Sequence, residues 1–322
     1  MRSSLPLEKP LRELEEQIEE LKRLTAEEGL DRSAEIEALE RRAEELRRKI
    51  FSHLTPWDQV QLSRHPERPY TLDYIERMCT DFFELHGDRR FGDDPAIVAG
   101  VAFLEGRPVA IIGHQKGRNV RERQYRNFGQ AKAEGYRKAL RVMRLAAKFR
   151  RPIICLVDTP GADCLVDGES RGVSEAIAVN QREMFSLPTP IIVVIIGEGG
   201  SGGAIGIGVG DYIMMLEHAF YSVITPEGCA SIIWPHDEER GPAEAAAALK
   251  LTARDALEWE LIDEIIFEPL GGAHRDPAAM AETLKAALLR ALDHLTSVPV
   301  EELLEQRYHK FRRMGIFMEA EE

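Results

Sequence analysis

Two patterns of apolar spacing divide the chain. Leu7, Leu11, Leu14, Ile18 and Leu21 recur at alternating intervals of four and three, and after Gly29-Leu30-Asp31 the period returns at Ile36, Leu39, Ala43, Leu46 and Ile50. Glu and Arg fill most intervening positions. Such narrow stripes predict two amphipathic helices folded into an antiparallel hairpin. Each stripe needs the other arm, and either a second chain or the chain's own globular part covers the remainder.

Beyond residue 69 the period changes. AIVAGVAFLE and RPVAIIGHQ read as paired strands joined at Glu105-Gly106, and 134–149 as a helix with a basic outer face. RPIICLVD is a strand, SEAIAVNQREMF a helix and PIIVVIIG a strand; 203–209 is a short glycine-rich helix, and YIMMLE and AFYSVIT are further strands. Apolar strands interleaved with helices predict an α/β fold with a largely parallel sheet covered on both faces. A proline-marked linker runs from Leu54-Thr55-Pro56 to Pro69, and the tail reads as helices, clearest over Ala279–Leu295. The expected divisions are a hairpin over 1–54, an α/β domain over 55–275 and C-terminal helices over 276–322.

Charge narrows the function. A net charge of −13 over 322 residues argues against general nucleic-acid binding. The apolar runs are too short to span a bilayer, and the opening MRSSLPLEKPLRELEEQIEE lacks the pattern of a signal peptide. Cys79, Cys155, Cys164 and Cys229 include no C-x-x-C pair, so reduced thiols, a cytoplasmic setting and no metal site are expected. Residues 114–150 run against the overall balance, with twelve Lys or Arg against two acids. That segment is either a solvated helix face or a steering surface for a polyanion or an acidic partner.

The candidate chemistry lies in GEGGSGGAIGIGVGD, residues 197–211, directly after the strand PIIVVIIG. It matches G-x-G-x-x-G, with Glu217 downstream to read a ribose, but only ten residues separate Gly202 from Tyr212. A dinucleotide-binding crossover needs a longer, robust helix. No G-K-[ST] occurs, which excludes a P-loop. Two readings remain: free amides of Gly202 and Gly203 aimed at an oxyanion, or a close-packing device. Asp158-Thr159-Pro160-Gly161-Ala162 forms a second glycine turn at a strand's carboxyl end, where open α/β sheets bind ligands.

GHQKGR, RNFG, EGYRKALR, DTPGA, RGVSEAIA, GEGGSGGAIGIGVGD, YSVITPEGCASI and EPLGGAHR, in that order, resemble the carboxyltransferase α-subunit family of bacterial-type acetyl-CoA carboxylase. The likeness runs from the hairpin to about residue 310. It implies a ClpP/crotonase-like spiral of ββα units carrying the hairpin. It implies carboxyl transfer from carboxybiotin, on a biotin carboxyl carrier protein, to acetyl-CoA, giving malonyl-CoA for fatty acid synthesis. No cofactor would be bound covalently. A β subunit would complete an α₂β₂ heterotetramer and carry the zinc and the thioester oxyanion hole, with biotin carboxylase in the larger ATP-binding complex.

Residue by residue, the resemblance implies that the Gly202 and Gly203 amides hold the ureido oxygen of biotin. Gly199, Gly200, Ser201, Gly161 and Ala162 would line the substrate, and Lys116, Arg118, Arg121 and Arg126 would attract CoA phosphates or the acidic carrier. Glu198, Asp211 and Glu227 are assigned to capping and packing. Two loops depart from the family pattern: Asp163-Cys164-Leu165 stands where Tyr-Pro-Gly is usual, and Gln130-Ala131-Lys132-Ala133 where a Pro-rich turn is usual. With glycines and basic segment intact, an active subunit is expected. A different acyl-CoA enzyme on the same fold, or a non-catalytic paralogue, are the alternatives.

Overall fold

The computed structural model describes residues 5–28, 31–235, 237 and 240–315. Gly29 and Leu30 of the expected hairpin break, and 316–322 of the tail, lie outside the described residues. Helices α1 (Lys9–Glu28) and α2 (Ser33–Phe51) form the hairpin. Leu11, Leu14, Ile18 and Ala43 are buried in its seam, against Ile36, Leu39, Leu46 and Ile50. Its root is tied to the chain's own domain. The Glu8 carboxylate lies 3.1 Å from His274 Nε2 and 3.4 Å from Arg275, and Glu15 lies 2.9 Å from Arg275.

The expected linker is not one. Pro56–Ser63 is a helix, α3, opened by a capping box: Asp58 N–H donates to Thr55 Oγ1 (3.1 Å) and Thr55 N–H to the Asp58 carboxylate (2.9 Å). Pro56, at the first helical position, suits that start. Val60 of α3 packs with Phe220, Ala246 and Leu251 in a small second core. The prolines therefore punctuate a packed segment, which continues into α4 (Thr71–Met78).

One eight-stranded sheet carries the domain. β1 (Cys79–Glu84), β2 (Ile97–Leu104) and β3 (Arg107–His114) are antiparallel neighbours. Glu105 and Gly106 turn the β2–β3 hairpin with φ of +48° and +74°, as a tight two-residue loop requires. After α5 (Val120–Tyr125) and α6 (Ala133–Lys148), β4 (Ile153–Thr159) joins β3 in parallel. Then α7 (Val166–Ser170) and α8 (Val173–Ser186) lead to β5 (Ile191–Gly200), parallel to β4. Every residue of β4 and β5 is buried, which explains their unbroken apolar runs.

The glycine-rich stretch differs from the expected helix over 203–209. β5 continues through Gly200 because Glu198–Gly200 pair with β7 (Phe220–Ser222) beyond the reach of β6 (Tyr212–Leu216). Helix α9 is only Ser201–Ile205, and Ser201 opens it at φ +48°. Helices α10 (Pro226–Ile233), α11 (Pro242–Leu249) and α12 (Ala253–Glu258) precede β8 (Glu264–Ile266), which lies parallel to β6. The tail is helical as expected, with α13 (Pro277–Thr296) and α14 (Val300–Arg313). The carboxyl ends of β3, β4 and β5 thus lie side by side, and each runs into a glycine-bearing turn.

Candidate functional site

Most of the glycines after β5 are demanded by neighbouring atoms. A Cβ on Gly203 would stand 2.5 Å from Gly161 C and 2.7 Å from Ala162 N, and one on Gly200 would collide with the Pro160 carbonyl. One on Gly197 would meet the Asp158 carboxylate at 2.5 Å, and one on Gly206 the Tyr136 ring at 2.5 Å. The turn after β5 and the turn after β4 therefore touch backbone to backbone. Tyr136 Oη donates to Gly203 O (3.2 Å) and Asn180 Nδ2 to Gly206 O (3.0 Å), fixing the short helix from beneath.

Gly202 and Gly161 are different. A Cβ on Gly202 would meet only Ile177 Cδ1, at 3.7 Å, and nothing lies within 4 Å of one on Gly161. Both are partly exposed, as is Ala162, and Ser201 between the turns is exposed. Packing accounts for Gly197, Gly199, Gly200 and Gly203, and it leaves Gly202 unexplained. The first N–H groups of a helix have no intrahelical partner, and in α9 these include Gly202, half-buried at the opening, and Gly203, buried behind it.

Beneath the turns runs a chain of charges. Lys116 Nζ lies 2.6 Å from Asp158 Oδ1 and 2.6 Å from Glu198 Oε2; Arg64 binds the other Glu198 oxygen at 2.6 Å and reaches Glu227 at 2.5 Å. Burial pulls the Lys116 ammonium down, but Asp158 and Glu198 together hold its pKa above the usual lysine range. Burial raises the Asp158 carboxyl, whereas Lys116 and Arg64 outweigh burial at Glu198 and keep it below the glutamate range. His114, just before Lys116, is fully buried and neutral: burial, then the Lys116 charge, pushes it down to about 3.

The basic segment is mostly spent inside the fold. Arg118 donates to Pro66 O (2.7 Å) and Arg68 O (2.8 Å), pairs with Asp73 and covers the Tyr70 ring. Arg126 donates to Pro95 O (2.7 Å), Arg137 pairs with Asp88 (2.7 Å) and Lys138 with Asp93 (2.6 Å). Arg121, Lys132 and Arg150 have no side-chain partner among the described residues. The structure thus brings Gly161, Ala162 and Gly199–Gly203 together, sets Lys116 beneath them, and leaves Arg121 to solvent. Glu198 and Glu227 are ion-paired, and Asp211 accepts Ile191 N–H (2.7 Å) and pairs with Arg307 (2.7 Å).

The loops around 127–131 and 163 meet. Asp163 N–H donates to Ala131 O (2.9 Å), and Asn127 Nδ2 donates to Gln130 O (2.8 Å) and Asp163 Oδ1 (3.1 Å). Arg64, which the sequence reading did not single out, and Glu227, which it assigned to capping and packing, join the charged chain beneath the turns through the fold.

Among the described residues one group has metal-ligand chemistry: Glu8, His65 and His274, all buried. Glu67 N–H donates to His65 Nδ1 (3.2 Å), so the proton of that ring sits on Nε2, which faces Glu8. A ring nitrogen carrying a proton does not ligate, and the stacked imidazoles and Arg275 clamp the hairpin root instead. A cleft at the amino ends of β6 and β8 holds Asp211, Asp263, Arg307 and Lys310, with Arg307 paired to Asp211 and Lys310 to Asp263. Among the described residues no helix is long and apolar enough to cross a membrane.

Comparison with known proteins places this arrangement. A family model described as acetyl co-enzyme A carboxylase carboxyltransferase-like matches residues 4–315. The chain is 54% identical over 315 residues to the acetyl-coenzyme A carboxylase carboxyl transferase subunit alpha of Heliobacterium modesticaldum, covering 97% of this chain and 93% of that one. The protein of the same name from Geobacter metallireducens is 55% identical over 315 residues, covering 98% of each chain.

Among solved structures, transcarboxylase 12S with methylmalonyl-coenzyme A and methylmalonic acid superposes with a TM-score of 0.57 at 20% identity, over 71% of this chain and 42% of that one. A Pseudomonas malonate decarboxylase hetero-tetramer in complex with coenzyme A gives 0.56 at 16%, over 75% and 96%. These likenesses show the fold, which is the crotonase-like one expected from the sequence. The chain belongs to the acetyl-coenzyme A carboxylase carboxyltransferase family, as its alpha-subunit branch.

Proposed function

We propose that this chain transfers a carboxyl group to acetyl-CoA, giving malonyl-CoA, and that it supplies the biotin side of the site. The near full-length match to the family and to relatives named as carboxyl transferase alpha subunits supports the reaction. A subunit of that name works with a partner, and we assign the partner as a β subunit in an α₂β₂ assembly. That subunit carries the zinc and the donors for the thioester oxygen. The carboxyl group arrives as carboxybiotin on the carrier protein, loaded by biotin carboxylase, in the cytoplasm.

In this reading the carboxyl group leaves the biotin nitrogen as CO₂, and the bonding pair remains on the ureido group. The nitrogen then takes the acetyl α-proton, and the carbon so freed attacks CO₂. The Gly202 and Gly203 amides donate to the ureido oxygen while it is negative. Each oriented donor contributes about 3 kcal/mol by the measure of other oxyanion holes. No side-chain acid or base of this chain is needed, in keeping with the ion-paired state of Glu198, Asp211 and Glu227.

The observation that carries the site is the unexplained room at Gly202. In the complex with the partner subunit, malonyl-CoA-dependent carboxylation of biocytin measures the reverse reaction. Gly202→Ala is expected to leave the thermal midpoint unchanged, because its methyl group has space, and to lower kcat about 10- to 100-fold by holding the ureido group off the amides. Unchanged activity would remove Gly202 from the site. An inactive wild-type complex would overturn carboxyl transfer itself and favour a scaffold.

Arg121 and Lys132 are the cations of this segment's turn region left for an approaching polyanion. Reversing both to Glu is expected to slow association of the carrier or the CoA substrate by about tenfold at low salt, with the effect fading at high ionic strength. Stopped-flow association rates at two salt concentrations test this, and rates indifferent to the reversal at both would refute it.

A further inference from the structure

The side chain of Lys116 is the point at which three turns of the site meet. Its ammonium binds Asp158, which leads into the Thr159–Ala162 turn, and Glu198, which leads into Gly199–Gly203, at 2.6 Å each. A Cβ on Gly129 would stand 2.8 Å from Lys116 Cγ, so the methylene stem supports the third turn. In that turn Asn127, Phe128 and Gly129 are all left-handed, with φ of +45°, +55° and +78°. Three consecutive left-handed residues, two of them not glycine, persist only when surrounding structure holds them. The Lys116 side chain is 13% exposed, against 2% for Asp158 and 8% for Glu198.

We propose that Lys116 is a positioning residue for carboxyl transfer: it fixes the spacing of the three turns and acts through Gly161, Gly202 and Gly203 rather than by contacting a phosphate. Two of its three N–H donors are bound to carboxylates, which leaves little of its charge for a ligand. The two strand ends are also tied by Glu198 N–H to Asp158 Oδ1, at 2.9 Å, and by the pairing of Thr159 with Gly199. Without the ammonium, Asp158 and Glu198 would be two buried carboxylates with no cation between them, which forces either their separation or the uptake of a proton, and the bridge between the turns is lost either way. Arg64, with Glu227 beyond it, would still hold Glu198 from the far side. A displacement of about 1 Å in such a site costs about a hundredfold in rate.

The proposal rests on the carboxyl-transfer reading for one of its two measurements. In the assembled complex, Lys116→Met is expected to lower kcat of the biocytin reaction about 10- to 100-fold with KM for malonyl-CoA unchanged within about twofold. Adding Asp158→Asn removes the second negative charge and keeps the acceptor for Glu198 N–H, so it is expected to restore most of that loss. A raised KM with kcat preserved would overturn the proposal in favour of a phosphate contact, and so would a loss that the second substitution does not relieve.

Hydrogen exchange at 159–162 and 199–203 gives the second measurement, independent of turnover. It is expected to speed about tenfold in Lys116→Met and to return in the double variant. Unchanged exchange would overturn the proposal even if the wild-type complex proved inactive. Should Lys116→Met fail to assemble, Lys116→Gln removes the same cation while keeping a polar end, and carries the same two expectations, with the same contrary results.

Discussion

Replacing Glu268 by Gln is expected to cost about 3–5 kcal/mol of stability, because it strands a buried cation. Arg68 is 1% exposed, and Glu268 holds it through both oxygens, one at 2.8 Å. The arginine also donates to Ile196 O in β5 (2.8 Å), while the Glu268 carboxylate accepts His218 N–H (3.0 Å) and Ala273 N–H (2.6 Å). One ion pair thus ties the segment after α3 to β5 and to the chain following β8. Gln keeps the size and some hydrogen bonds but removes the charge opposite Arg68. Urea denaturation of wild type and variant measures the difference, and a loss below about 1 kcal/mol would show that solvent or a neighbour compensates.

The same pair sets a pH dependence. Burial alone would raise the Glu268 carboxyl, but Arg68, then His218, bring it down to about 2. A carboxyl lowered on folding stabilises the native state above its unfolded value, near 4.5, and loses that contribution as pH falls towards 2. Wild-type stability is therefore expected to decline over that acid range, with a shallower decline in Glu268→Gln.

The second large effect lies at Gly203. Its Cβ would stand 2.5 Å from a main-chain carbon of the opposing turn, closer than real Cβ contacts, so one of the two backbones must shift. Gly203→Ala is expected to separate the two turns and lower the biocytin reaction by about a hundredfold or more. Gly203→Pro adds the loss of the N–H itself. Comparison with Gly202→Ala divides the cluster: the 203 substitution should lower both stability and rate, the 202 substitution rate alone. If Gly203→Ala kept wild-type stability and rate, the close approach of the turns would not be what the glycine provides.

Packing demands glycine at 197, 200 and 203 but not at 202, so close contact explains part of the cluster and leaves Gly202 over. Sequence could not show this. The atoms that demand glycine at 197, 200 and 203 belong to Asp158, Pro160, Gly161 and Ala162, some forty residues away. Periodicity revealed the hairpin, the β2–β3 pair and the buried strands because those depend on local burial pattern. Charge misled where it was read locally. Lys116 looked like part of a free basic surface, but its partners stand 42 and 82 residues on, and only the sheet brings them to it. Helix α3 was legible after all: Thr55-Pro56-Trp57-Asp58 is a capping-box sequence with proline at the first position.

The contact between the 127–131 and 163 loops makes one unit of two segments that are more than thirty residues apart in sequence. Asn127 bonds to both loops at once, and the backbones of Ala131 and Asp163 bond to each other. What reads along the sequence as two separate loops is one module in space. Two of the three bonds end on main-chain oxygens of 130 and 131, so it is the backbone path of one loop that positions the other. Only the pair is a transferable part.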